Sequence, residues 1–144
     1  MKILFCHFGI KDKSGFGRTF MLASGLAALG NNVTFLTNQN GGFKFPYRSE
    51  MRDGVSIISF PDILPDRILQ LGFGSISILL KIIYVTNKKF DIVHSDDHRP
   101  SAAFPCLWNR LIHNSKYISE WWDFFGRGGQ YENKHWLFRL LLEL

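Results

Sequence analysis

Ile3-Leu4-Phe5-Cys6-His7-Phe8, then Ser14-Gly15-Phe16-Gly17-Arg18, then Leu22, Leu26 and Leu29 closed by Gly30: residues 2–29 decide how the rest of the chain is read. A short, unbroken apolar run ended by glycines is a strand buried on both faces, the type found in parallel sheets. The leucines recur at i, i+4, i+7, which predicts an amphipathic helix over residues 19–29 with Gly30 as its stop. Strand, glycine turn and helix open a dinucleotide-type βαβ unit. The helix start attracts anions, because unpaired N–H groups and the positive end of the dipole face the turn.

Two familiar phosphate loops are excluded. Lys13-Ser14 lacks the glycine that a P-loop places before its lysine. Phe20 stands where the dinucleotide fingerprint needs its third glycine, and Thr37, Asn38 and Gln39 stand where it needs an acid for the ribose. NAD is therefore disfavoured, and no cofactor is expected. Gly15, Phe16, Gly17 and Arg18 are left as a candidate phosphate-binding set, through close backbone approach and one guanidinium. A tight turn with an exposed arginine is the other reading of the same residues.

The 144 residues suffice for one domain with a sizeable core. The net charge of +5 is scattered, with Lys88-Lys89 the longest basic run, so nucleic acid is not an expected partner. Cys6 and Cys106 fit neither a disulfide framework nor a metal pattern, which suits a reducing cytoplasm. The first apolar run is too short for a signal peptide. Residues 68–86 are apolar except for Lys81, whose placement in a bilayer would cost about 2.5–3.5 kcal/mol at mid-span. A buried or membrane-skimming helix is preferred there to a spanning one, leaving a peripheral contact with the inner face of a membrane open.

Further along, Asn32-Val33-Thr34-Phe35-Leu36-Thr37 is a second strand. Residues 38–53 carry Phe43, Phe45 and Tyr47 among Lys44, Arg48 and Arg52, and read as a small hairpin or as an acceptor or lipid contact. After the Asp53-Gly54 turn, Val55-Ser56-Ile57-Ile58-Ser59-Phe60 is a third strand. A helix is expected over residues 66–87 with Ile68, Leu71, Leu79 and Ile82 on one face. Phe90-Asp91-Ile92-Val93-His94 is a fourth strand. Pro100 opens a helix with Phe104, Leu107, Trp108, Leu111 and Ile112 at helical spacing, its first turn delayed or kinked by Pro105. Lys116-Tyr117-Ile118-Ser119 is a fifth strand. Trp136, Leu137, Leu140, Leu141 and Leu144 form a last helical pattern that stops without a cap, so the chain is expected to be cut there.

Alternating strands and helices give an α/β, three-layer Rossmann-like domain with a parallel sheet of expected order 3-2-1-4-5. The order reverses between the first and fourth strands, and ligands bind at the carboxyl ends beside that switch point. Three loops should meet there: the glycine loop, His94-Ser95-Asp96-Asp97-His98-Arg99, and Glu120-Trp121-Trp122-Asp123-Phe124-Phe125-Gly126-Arg127-Gly128-Gly129.

His94, Asp96, Asp97 and His98 are too close in sequence to converge readily on one ion, and His94 at a strand end should bond to backbone, so no metal is expected. Hydrogen bonding to a polyhydroxylated substrate suits Asp, His and Arg in a loop. The alternative is a solvated acidic loop with Asp96 or Asp97 capping the next helix. Trp121 and Trp122 stack on a sugar or anchor the loop. Glu120 and Asp123 are the carboxylates available for proton work, and Arg127 adds an anion contact. Hydrolase motifs are absent.

Met1-Lys2-Ile3-Leu4, the Gly15/Gly17 loop, Ala27-Ala28-Leu29-Gly30-Asn31-Asn32-Val33-Thr34-Phe35-Leu36-Thr37, Asp53-Gly54-Val55 and Phe90-Asp91-Ile92-Val93-His94 together resemble the N-terminal domain of retaining GT-B glycosyltransferases of family four. The tract 121–129 is similar to a subset of bacterial members. The resemblance implies a transferase moving a sugar from a nucleotide-sugar donor to a glycan or lipid-linked acceptor, as in polysaccharide or glycolipid biosynthesis. It implies that residues 1–144 are the acceptor-side half of a two-domain hexosyltransferase, inactive without the donor half, and that no metal is needed. Gly15, Phe16, Gly17 and Arg18 would face the donor phosphates. His94, Asp96, Asp97, Arg99, Glu120, Trp122 and Arg127 would contact acceptor or sugar, with Asp123 and His98 as catalytic candidates. The histidine that many members carry after the fifth strand is replaced here by Glu120, Trp121 and Trp122. A stand-alone flavodoxin-like module and an NAD-dependent nucleotide-sugar enzyme are the competing readings.

Overall fold

The computed structural model describes residues 1–13, 15–40 and 45–121. β1 (Lys2–Ile10) is buried from Ile3 onward, as its unbroken apolar run requires of a central strand. It pairs in parallel with β2 (Asn32–Asn38) on one side and β5 (Ile92–Ser95) on the other, with Phe5 opposite both Phe35 and His94. β4 (Val55–Phe60) extends the sheet beyond β2, and β6 (Lys116–Ser119) extends it beyond β5, both in parallel. These five strands take the expected order. The sheet has a sixth, β3 (Arg48–Arg52), paired antiparallel to β4 at the edge, so the full order is β3-β4-β2-β1-β5-β6. The hairpin in residues 38–53 thus joins the sheet itself, turning through Asp53 and Gly54, both at positive φ. Tyr47 packs on Phe60 and Tyr84, while Phe45 stays exposed; Phe43 and Lys44 lie outside the described residues.

α1 (Phe16–Ala28) covers one face of the sheet, and it starts three residues earlier than its leucine spacing suggests. Its buried face is Phe16, Thr19, Phe20 and Ala23, whereas Leu22 and Leu29 are exposed. Phe16, Phe20 and Phe35 pack together with centroids 5.1–5.9 Å apart. Burying each of those rings contributes about 1.5–3 kcal/mol. Leu22 and Leu26 instead line an apolar groove with Ile3, Phe5, Ile92 and Ile118.

The other face is covered by α3 (Ser75–Thr86) and α4 (Pro100–His113). The single helix expected over residues 66–87 is two, because α2 (Asp66–Gln70) ends before Gly72 at φ +84° and Gly74. A side chain at Gly72 would sit 2.7 Å from Arg99 Cβ. The expected face of Ile68, Leu71 and Leu79 is exposed; Leu69, Ser77, Lys81 and Val85 are buried. In α4, too, Ser101, Ala102, Ala103, Cys106 and Asn109 face the sheet, and Phe104, Leu107, Trp108, Leu111 and Ile112 point away. α4 runs unbroken from Pro100 through Pro105. Among the described residues no helix is long and apolar enough to cross a membrane.

Candidate functional site

The switch point lies between β1 and β5, and the chain leaves both strands, and β6, at the same rim. Gly15, in the left-handed region at φ 74°, precedes α1 and lets the chain turn into the helix. Phe16 is core: its side chain is buried and its N–H donates to the Lys13 carbonyl (3.0 Å). Arg18, in the first turn of α1, forms an ion pair with Glu120 at the end of β6. The other Glu120 oxygen is 3.7 Å from His94 Nε2 at the end of β5. Glu120 therefore joins the glycine loop to both neighbouring strand ends, and its N–H donates to the Ser95 carbonyl (2.9 Å).

His94 is nearly buried, with its ring on Phe5 (centroids 4.7 Å), and among the described residues its Nδ1 has no hydrogen-bond partner, so the expected bond to backbone is not made there. Burial lowers its pKa; nearby Asp96 opposes the shift and Arg18 adds to it, so the ring is neutral near pH 7.

Asp96 is fully buried beneath the rim and presents nothing to a ligand. Its carboxylate is hydrogen-bonded to His7 Nδ1 and accepts from the Phe8 N–H (3.2 Å) and Thr19 Oγ1 (3.2 Å), while its own N–H donates to the Cys6 carbonyl. One carboxylate thus binds β1 and α1 to the loop after β5. Below it, Lys81 is also fully buried, donating to the His7 carbonyl (3.0 Å) and to Ser101 Oγ (2.7 Å) and carbonyl (3.2 Å). Burial lowers its pKa to about 8, against the pull of Cys6, Asp96, Cys106 and Asp62.

Asp97 accepts the Arg99 N–H (3.1 Å) in a turn that leads into α4 and is paired with His98 and the Arg99 guanidinium. The residue that caps α4 is Arg99, so neither Asp96 nor Asp97 fills that position. Burial raises the Asp97 pKa, partly offset by Arg99 and His98. Arg99 also donates to the Gln70 carbonyl (3.2 Å) and its guanidinium covers the Phe8 ring (4.2 Å). The His98 ring stacks on exposed Trp121 (centroids 4.9 Å). Arg18, Glu120 and His94 are thus in contact at this rim, as are Asp97, His98 and Arg99, and His98 meets Trp121, the neighbour of Glu120. Trp122, Asp123, Arg127 and the helical pattern at 136–144 lie outside the described residues, as does Ser14.

Sequence reasoning missed the supporting layer. His7 reads only as a strand residue, since its partner Asp96 is 89 positions away. Lys81 reads as an interruption. A polar pocket of about 300 Å³ on the same rim, lined by Lys11, Asp12, Asn40, Arg48 and Glu50, was also missed; charged residues just beyond strand ends were its only signal. Among the described residues no three His, Cys, Asp or Glu side chains are grouped as metal ligands.

The family model for the Glycosyl transferase 4-like domain matches residues 17–144. No curated protein and no solved structure gives a match. The matched range takes in every strand of the sheet except β1, and all three rim loops from Gly17 onward. An open, mostly parallel sheet with a polar rim at its switch point, and a match over most of the sequence, lead to one conclusion: the chain belongs to the Glycosyl transferase 4-like domain family and is a glycosyltransferase domain.

Proposed function

We propose that this domain is the acceptor-side half of a retaining, bacterial GT-B hexosyltransferase that moves a sugar from a nucleotide-sugar donor to a glycan or lipid-linked acceptor in the cytoplasm. The reading rests on one observation: Glu120 pairs with Arg18 while lying beside His94. A donor diphosphate at the start of α1 competes with Glu120 for the Arg18 guanidinium, and the backbone at Gly15 and Gly17 admits its oxygens closely. Glu120, displaced from Arg18, then accepts a hydrogen bond from a sugar or acceptor hydroxyl, with His98 and Arg99 alongside. These groups position substrates and stabilise the leaving phosphates; the departing diphosphate itself assists deprotonation of the acceptor. The donor half, a second Rossmann-like unit, completes the cleft.

The test is transfer by the full-length protein from a panel of nucleotide-sugars, followed by mass spectrometry of the products. Arg18→Ala is expected to lower kcat/KM by roughly 100-fold, the scale of one lost charge-stabilising group. Undiminished transfer by Arg18→Ala, or transfer by residues 1–144 alone, overturns the reading.

A further inference from the structure

We propose that the outer face of the α3–α4 pair is a docking surface for a bilayer containing anionic lipid. α4 turns its larger apolar residues outward, and α3, which packs Leu80, Tyr84 and Val85 on the core, still leaves apolar residues on its outer side. The apolar stripe of α4 points away from the sheet, with Leu111 78% exposed and Phe104 50% exposed, and small or polar residues face inward. Beside it, Leu79 and Ile83 of α3 are 58% and 56% exposed. The two stripes adjoin, because Trp108 Nε1 of α4 donates to Thr86 Oγ1 of α3 (3.0 Å). A contiguous apolar face of this kind marks a contact surface rather than ordinary scatter.

Charge selects the occupant. Neither helix contains a single Asp or Glu. The end of the pair carries Lys88 and Lys89 just after α3, and Arg110 and His113 in the last turn of α4. Lys88 folds its ammonium over the Tyr84 ring (4.8 Å), a stem lying along apolar surface with its charge at the edge. Apolar residues including a tryptophan, no acids and a basic end are the features of a helix lying in a headgroup layer. The exposed side of α1 differs: Met21, Leu22 and Leu29 are apolar, but Arg18 is the one charge in that helix and Glu120 holds it. α4 begins immediately after Arg99, so this face runs from the rim to the basic end of the two helices.

The experiment is flotation of the full-length protein with vesicles of phosphatidylcholine, with and without phosphatidylglycerol. Binding is expected to be at least roughly tenfold stronger with the anionic lipid and to weaken with added salt. Leu111→Glu is expected to reduce it by roughly tenfold or more without changing Tm, and Lys88→Glu/Lys89→Glu to remove the preference for anionic lipid. Leu22→Glu, on the opposite face, is expected to float like the wild type. Absence of flotation overturns the proposal, as does loss of binding in Leu22→Glu alone. A marked fall in Tm in Leu111→Glu shows another part of the chain on this face, and a monomer–dimer equilibrium abolished by Leu111→Glu shows a second copy there; either also overturns it. None of these readouts depends on sugar transfer.

Discussion

Lys81 Nζ donates to the Ser101 carbonyl at 3.2 Å, an acceptor that Pro105 leaves open. In an α-helix the N–H of residue 105 would bond to the carbonyl of residue 101, and proline has no N–H to give. The proline inside α4 therefore does not break the helix; it frees the oxygen that receives a buried ammonium from α3. The same ammonium reaches the His7 carbonyl in β1, so one side chain ties two helices to the strand beneath the rim.

That ammonium gives folding a pH dependence. The pKa of Lys81 is about 8 in the folded chain and 10.5 when unfolded, so between these values the unfolded state holds more protons. Stability consequently rises with pH across this window, by about 1 kcal/mol per pH unit, as the cost of burying the charge is relieved. Denaturant unfolding of wild type and Lys81→Met at pH 7, 8.5 and 9.5 checks this. The difference between the two is expected to shift in favour of the wild type above pH 8 and to be flat below it.

Asp96→Asn tests the knot under the rim. The substitution removes a buried carboxylate that takes hydrogen bonds from the Phe8 N–H and Thr19 and is bonded to His7. Loss of these charge-assisted bonds is expected to cost about 2–4 kcal/mol, measured by denaturant unfolding. Asp97→Asn, nearer the surface, is expected to cost less than half as much. Equal costs would mean that Asp96 does not tie β1, α1 and the loop together.

Much of this was legible from pattern, and the failures share a cause. The buried first strand and the order of the five parallel strands follow from run lengths, turn residues and right-handed crossovers. Among the described residues periodicity found α1, α3 and α4, though it joined α2 to α3 and set most of the expected apolar face outward. Leu22 and Leu26 do share a face, but it reaches only the groove beside Ile3, Phe5 and Ile118, and the face of Phe104 and Leu111 points away from the sheet. Spacing reports that a stripe exists, not what covers it; against this sheet the closer fit came from Ala23, Ala102, Ala103 and Cys106. Asp96 reads as a ligand contact because Asp in a loop suits hydrogen bonding to a polyhydroxylated substrate, and nothing local announces its partner His7 in β1.

Gly72 is a hinge between α2 and α3 that also supports the site. Its φ of +84° suits glycine, and an added Cβ would meet Arg99 Cβ at 2.7 Å. Its carbonyl accepts the Ser101 N–H (3.1 Å) at the start of α4. Gly72→Ala is therefore expected to cost about 1–3 kcal/mol in unfolding free energy and to push Arg99 off the Gln70 carbonyl. Gly25→Ala, in mid-helix with open space around its Cβ position, is the control, expected to stabilise by about 0.5–1 kcal/mol. A Gly72→Ala chain as stable as the wild type would contradict the account of this turn.

His94 separates stability from function. Its folded pKa is lowered by burial, so as pH falls below the ordinary histidine value near 6.5 the unfolded chain takes up the proton first and stability declines. His94→Phe keeps an aromatic ring against Phe5 and removes both the titration and an Nδ1 that has no partner among the described residues. Its unfolding free energy is expected to match or exceed that of the wild type at pH 7, and the advantage is expected to grow at pH 5.5. Transfer by the full-length protein is expected to fall with the same substitution, because Glu120 loses the polar neighbour 3.7 Å away that shares its edge of the rim. If His94→Phe is instead less stable at pH 5.5 than at pH 7 relative to wild type, the ring is not held neutral in the folded chain.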